Sequence, residues 1–241
     1  MPDSAANRRF TTTRWTLVVA TRDAGSPQAE LALSSLCEIY WFPIYAFVRR
    51  SGYSQDDARD MTQAFFTRVL EKNYFKDARQ ERGRFRAFLL TAVRHFLSNQ
   101  RDADRAQKRG GGQVHLPLEF DDGERRYLLE PVEQDTPEKV YERKWALAVI
   151  AQAMQALTEK YDRSGKQDMF QAVRPFLTGD EPGSYADLAA RLSTTEGALR
   201  VAVHRLRQQF ATVLRDTIAE TVESPDDVDE ELRHLLAAVA S

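Results

Sequence analysis

One cysteine, Cys37, stands in 241 residues. That excludes a disulfide framework and any multi-cysteine zinc site. Cys37 has apolar neighbours and no base nearby, the setting of a core thiol. The four histidines, His95, His115, His204 and His234, are far apart and lack HExxH-like metal spacing. Gly110-Gly111-Gly112 is followed by Gln113-Val114, not by the Lys-Ser/Thr of a phosphate loop. No run approaches the ~20 apolar residues that a membrane span needs. The opening MPDSAANRRFTTTRW has no apolar stretch after its charges, unlike a secretory signal. These absences leave no catalytic site, cofactor, metal or small-molecule substrate to expect. A soluble, cytoplasmic chain that is not an enzyme is the expectation. Hydrophobic residues make up 42% of the sequence, enough for a packed core and against wholesale disorder.

Net charge is also nearly absent: 34 Lys+Arg against 36 Asp+Glu give −2. The balance hides segregation. Arg82 to Arg109 holds eight basic and two acidic residues, and Leu118 to Glu138 holds eight acidic and two basic. Arg191 to Arg215 holds five basic and one acidic residue, and Asp216 to Ser241 holds eight acidic and one basic. Basic and acidic blocks alternate twice, so a neutral total does not exclude a polyanion partner. Solvated helix faces are the plainer reading of any single block.

Helical periodicity dominates and no strand pattern competes. Residues 28–50 carry apolar side chains at Leu33, Leu36, Cys37, Tyr40, Trp41, Ile44 and Phe47, spaced by three and four. Pro43 is expected to kink or split this helix. A second helix follows from Ser54 to about Lys72, with Asp56 and Asp57 in its first turn. A third runs from about Arg84 to Arg105 on Phe85, Phe88, Leu89, Ala92, Val93, Phe96 and Leu97. Residues 110–136, with three glycines, Pro117, Asp121-Asp122-Gly123 and Pro131, read as a linker. Helices are expected again over 137–161 and 166–177. The chain thus reads as all-α: an N-terminal extension over 1–27, and two small helical domains over 28–109 and 137–215. An acidic flexible linker over 110–136 joins the domains, and a C-terminal segment covers 216–241.

The second domain ends in the more specific pattern. Ser184 to Leu192 forms a short amphipathic helix, a tight turn follows, and residues 195–215 form a longer helix. Ser193 and Glu196 are spaced as a capping box, with Thr195 as an alternative cap. The outward face carries Glu196, Gly197, Arg200, His204, Arg205 and Arg207. This is a helix-turn-helix order, in which Arg on the second helix reads guanine or grips phosphate. A plain helical hairpin is the alternative. The tail, ETVESPDDVDEELRHLLAAVAS, is an acidic amphipathic helix by pattern. It is expected either to pack on the second helical domain, the preferred reading, or to offer a docking face to a regulator.

Two blocks carry a family resemblance. LCEIYWFPIYAFVRRSGYSQDDARDMTQAFFTRVL with RGRFRAFLLTAVRHFLSNQR resembles the second conserved region of extracytoplasmic-function sigma factors of the sigma-70 family. SYADLAARLSTTEGALRVAVHRLRQQF resembles their fourth region. The resemblance covers residues 28–110 and 137–215, in the family's order.

The resemblance implies a promoter-specificity subunit that binds core RNA polymerase through its β′ and β subunits and opens promoter DNA. The acidic helix that docks on the β′ coiled coil matches Asp57, Ala58, Asp60, Gln63 and Phe66. The −10 element would be recognised by Tyr74, Phe75, Arg79, Arg82 and Arg84, with Arg86, Arg94, Asn99 and Arg101 on the following helix. Stacking aromatics beside cations suit opened strands. The −35 element would be read by Thr195, Glu196, Arg200, His204, Arg205 and Arg207. The acidic linker resembles the segment that the family threads into the polymerase cleft. An anti-sigma factor or another protein regulator is a further partner the family admits. Ala64 stands where the family often has an acid, so weaker core docking is expected. The alternative function is a stand-alone helix-turn-helix transcriptional regulator.

Overall fold

A computed structural model describes residues 27–70, 84–106, 118–128, 135–178, 184–222 and 224–240. The chain is helical throughout these residues, apart from turns and one isolated bridge. The helices are α1 (Pro27–Arg50), α2 (Gln55–Leu70), α3 (Phe85–Ala106), α4 (Phe120–Leu128) and α5 (Pro137–Arg163). Then come α6 (Gln167–Val173), α7 (Pro175–Thr178), α8 (Tyr185–Arg191), α9 (Glu196–Ala219) and α10 (Asp227–Ala240). Residues 1–26 of the N-terminal extension, and Gly110-Gly111-Gly112 of the linker, lie outside the described residues.

Two compact units result. The described residues up to Ala148 and from Ile218 onward form the first, and Val149–Thr217 form the second. The boundary therefore falls inside α5, not at its start. Residues 137–148 join the first unit because Trp145 and Tyr141, both fully buried, fill its core. The Trp145 indole N–H donates to the Tyr40 hydroxyl at 3.0 Å, and the Tyr141 hydroxyl donates to the Arg86 carbonyl at 3.0 Å. An aromatic side chain hides roughly 150–250 Å². At about 25 cal/mol/Å² that is on the order of 4–6 kcal/mol, enough to override a boundary drawn from composition.

The apolar stripes of α1, α2 and α3 meet as their periodicity dictates. Tyr40 meets Phe85 edge-on at 5.0 Å between ring centroids, and Phe65 meets Phe96 at 5.7 Å. Helix α1 passes through Pro43 without splitting, because Tyr40, Phe42, Ile44 and Tyr45 around it are all buried. Cys37 is buried, and desolvation pushes its thiol pKa upward, away from reactivity.

Part of the expected flexible linker is ordered: residues 120–128 form α4. Phe120 is buried with its ring edge-on to Trp41 at 5.7 Å and Tyr45 at 5.6 Å. Glu124, also buried, takes a forked pair of hydrogen bonds from Arg49, at 3.0 and 2.8 Å, and one from the Tyr45 hydroxyl. Glu124, read as part of a solvated acidic linker, is here half of an internal ion pair, while Glu119, Asp121 and Asp122 stay exposed. Burial alone would raise the Glu124 pKa, but the Arg49 and Tyr45 hydrogen bonds outweigh it and hold it below the usual carboxylate range. A depressed folded pKa means stability that is full above the unfolded value of about 4.3 and fades as pH falls below it. Acid titration followed by tryptophan fluorescence should therefore show α4 leaving Trp41 below about pH 4, a transition that Glu124→Gln shifts or removes.

The C-terminal helix α10 belongs to the first unit. Its described ion pairs to other elements go to Arg84 and Arg86 at the start of α3, a correction to the expectation that it packs on the second domain. Glu231, 1% exposed, accepts from Arg86 at 2.9 and 3.1 Å, and Glu230 pairs with Arg84 at 2.5 Å. Leading into it, the Phe85 N–H donates to the Thr221 carbonyl at 3.0 Å, and Arg84 bridges Val222 antiparallel. Val228 and Leu235 supply the apolar seam.

In the second unit, Leu157 of α5, Phe170 and Val173 of α6, Leu188 and Ala189 of α8, and Leu199, Val203 and Leu206 of α9 form one cluster. The helix expected over 166–177 is broken at Arg174, ahead of Pro175, which has no N–H to continue the ladder. Ser184 caps α8, its Oγ accepting from the Asp187 N–H at 3.1 Å. The following turn closes without glycine. Ser193 takes the left-handed conformation at φ 51°. The Thr194 N–H reaches the Ala189 carbonyl at 2.9 Å, and the Ser193 N–H reaches Ala190 at 3.2 Å. That is a Schellman ending. Ser193 is thus spent on the turn, and the Ser193–Glu196 capping box does not form. Thr195 caps α9 instead, its Oγ1 accepting from the Ala198 N–H at 3.2 Å.

Candidate nucleic-acid interface

Three surfaces carry the expected site residues. The first is α2. Ser54 caps it: its Oγ accepts from the Asp57 N–H at 3.1 Å and donates to the Asp57 carboxylate at 2.7 Å. Asp57 is exposed but engaged by this cap. Asp60 is exposed and makes no ion pair among the described residues. Gln63 and Phe66 do not join them; they are 4% and 0% exposed and face the core. The reason is helical phase. Each three-residue step falls about 60° short of a turn, so Gln63 sits roughly 120° around from Asp57. Sequence reasoning missed Asp56, which is exposed one turn before Asp60. The i,i+4 rule supplied the signal. The acidic face is therefore Asp56, Asp57 and Asp60.

The second surface is α3 and the segment before it. Tyr74, Phe75, Arg79 and Arg82 lie outside the described residues, as does the side chain of Arg101. Arg86 is 6% exposed and does not face solvent. Its guanidinium lies over the Trp145 ring at 4.7 Å and pairs with Glu231 and Glu142. Burial would lower the Arg86 pKa, but these carboxylates more than reverse that and fix its charge. Arg84 is half-buried against Glu230 and Glu231. Both were expected on DNA, and both instead hold α10, because a fully buried carboxylate needs a cation beside it. Arg94 remains exposed and pairs with Glu138 at 2.5 Å. Such a surface pair is worth at most about 1 kcal/mol and yields readily to a phosphate. Asn99 is exposed, without a partner among the described residues.

The third surface is the outer face of α9. Arg200, His204, Arg205 and Arg207 are all exposed, as expected, with Glu196 and Gly197 one turn earlier. Arg200 pairs with Glu196 at 3.7 Å, and Arg207 donates to the Phe176 carbonyl at 3.2 Å. The Thr195 hydroxyl is occupied as the helix cap. Val201 was missed: it is 48% exposed, out of phase with the buried stripe of Leu199, Val203 and Leu206. A large apolar side chain turned outward between Arg200 and His204 is the signal.

Among the described residues no group of His, Cys, Asp and Glu could hold a metal ion. None of the described helices is long and apolar enough to cross a membrane.

The chain has a curated relative in "ECF RNA polymerase sigma factor SigE" of Mycolicibacterium smegmatis, 26% identical over 184 residues. The alignment takes in 75% of this chain and 61% of the relative, so the chain spans about three fifths of that protein's length. No family model matches the chain, and no solved structure does. Motif order and the aligned relative point the same way: the chain is similar to the extracytoplasmic-function sigma factors.

Proposed function

We propose that this protein is a transcription-initiation factor without chemistry of its own. It binds core RNA polymerase through the acidic face of α2 and reads promoter DNA through α9 and α3. The observation that carries this reading is the coexistence of two exposed faces of opposite charge, one in each unit. Asp56, Asp57 and Asp60 point out from the first unit, and Arg200, His204 and Arg205 from a helix-turn-helix in the second. The first suits a cationic protein helix, and the second a major groove. In this reading Arg200 makes the bidentate contact that selects guanine, and Val201 packs on a thymine methyl. On the −10 side, Arg94 and Asn99 are the exposed contacts on α3 among the expected residues whose side chains are described, while Arg84 and Arg86 keep structural duties.

Affinity for promoter duplex, measured with and without core polymerase, tests the proposal. Tight, sequence-selective binding is expected only in the presence of core. Full-affinity binding to one operator by the chain alone would favour the stand-alone regulator. Arg200→Ala should relax preference at one base pair of the −35 element by about 1–3 kcal/mol. An equal loss on every sequence would make Arg200 a phosphate contact.

A further inference from the structure

Arg200 is an exposed, rotamer-rich side chain, yet reading a guanine edge needs its planar fork held in one orientation. The structure contains a device for that. The Arg200 guanidinium lies over the Tyr185 ring at 4.6 Å from its centroid. Tyr185 is also stacked with Phe176, at 4.6 Å between centroids with 28° between the planes. Glu196, one turn before Arg200, pairs with its NH2 at 3.7 Å. Arg207 donates to the Phe176 backbone carbonyl at 3.2 Å. Phe176, Tyr185 and Arg200 come from α7, α8 and α9, so three separate helices build one column.

We propose that Tyr185, backed by Phe176, is a positioning residue that sets the base specificity of Arg200. The inference rests on the promoter-reading role of α9 proposed above. The ring face attracts the cation and limits its swing, while the edge of the fork stays open to the groove. Order established before binding lowers the entropy lost when the contact forms. The benefit appears as discrimination at the base pair that Arg200 reads, not as general affinity. The hydroxyl of Tyr185 takes no part; the π face does.

The test is transcription by core polymerase with the full chain on a template library randomised across the −35 element. Four variants are compared: Arg200→Ala, Tyr185→Leu, Tyr185→Phe, and the Arg200→Ala/Tyr185→Leu double. Arg200→Ala identifies the base pair. Tyr185→Leu should weaken preference at that same pair by roughly two- to fivefold, the range of an exposed cation–π contact. Other positions should be unchanged, and Tyr185→Phe should match the wild type. In the double variant Tyr185→Leu should add nothing at that pair, because it acts only through Arg200. If Tyr185→Leu fails to fold, Tyr185→Met fills the volume without a π face and takes its place.

A uniform drop in transcription with unchanged base preference would overturn the proposal and make Tyr185 a packing residue. So would loss of discrimination in Tyr185→Phe. If Arg200→Ala moves no base preference, or core-dependent transcripts are absent altogether, the underlying reading of α9 fails instead.

Discussion

Replacing Glu231 with alanine should cost about 3–5 kcal/mol, the usual penalty for leaving one member of a buried ion pair without the other. Glu231 is 1% exposed and holds two nitrogens of Arg86. Arg86 would keep Glu142 and the Trp145 face, which places the cost toward the lower end. For a chain of this size each kcal/mol moves the melting temperature by roughly 2–4 °C. A drop of at least about 6 °C by calorimetry is the expected result. Glu231→Gln keeps the hydrogen-bonding shape and should lose less. Glu230→Ala, at a solvated pair with Arg84, should change little. A Glu231→Ala protein that melts with the wild type would mean that α10 is not clamped to α3.

Reversing the charge of both Asp56 and Asp60 should remove binding to core polymerase while leaving the fold intact. The two carboxylates are exposed on α2 and neither pairs with a cation among the described residues, so their replacement by lysine should cost only about 1–2 kcal/mol, mostly from placing a cation in the first turn of the helix at Asp56. At an interface with a cationic partner helix, each reversal replaces attraction by repulsion, and truncation alone at such pairs costs about 2 kcal/mol or more. That amounts to a loss of roughly thirtyfold or greater in affinity, readable by native gel shift or biolayer interferometry with core. Gln63→Ala and Phe66→Ala should behave in the opposite way. Both side chains face the core, so these variants should lower thermal stability before they touch docking. Equal loss of core binding in the double reversal and in both alanine variants, at unchanged stability, would place the docking surface elsewhere.

How far the residues alone foretold these features depends on the range of the forces. The stripes of α1, α3 and α9 were legible because helical periodicity is local: Phe85, Leu89, Val93 and Phe96 recur within one segment and all are buried. The helix-turn-helix was legible for the same reason, down to the outward Arg200, His204 and Arg205. Exact helical phase was less so. Gln63 and Phe66 follow the family's spacing, yet they fall on the buried side once the helix is built.

Long-range pairing was not legible at all. Glu124 meets Tyr45 across 79 residues of sequence and Glu231 meets Arg86 across 145. Nothing in the local pattern of either carboxylate separates a buried ion-pair partner from a solvated acid. Helix α4 shows this clearly. Its Asp121-Asp122-Gly123 run has the composition of a linker, and its order comes from Phe120 and Glu124 docking on α1. The same limit hid the roles of Arg84 and Arg86, basic residues in a basic block whose charges are answered by the acidic tail.

Transcription in a reconstituted system tests the central claim most directly. Purified full-length protein, core polymerase and a promoter-containing template are combined, and the 5′ ends of the transcripts are mapped. Transcripts from a discrete start site are predicted only when protein and core are both present, and the Asp56→Lys/Asp60→Lys variant should abolish them. Random initiation unchanged by the protein, or start-site selection that persists in that variant, would contradict it.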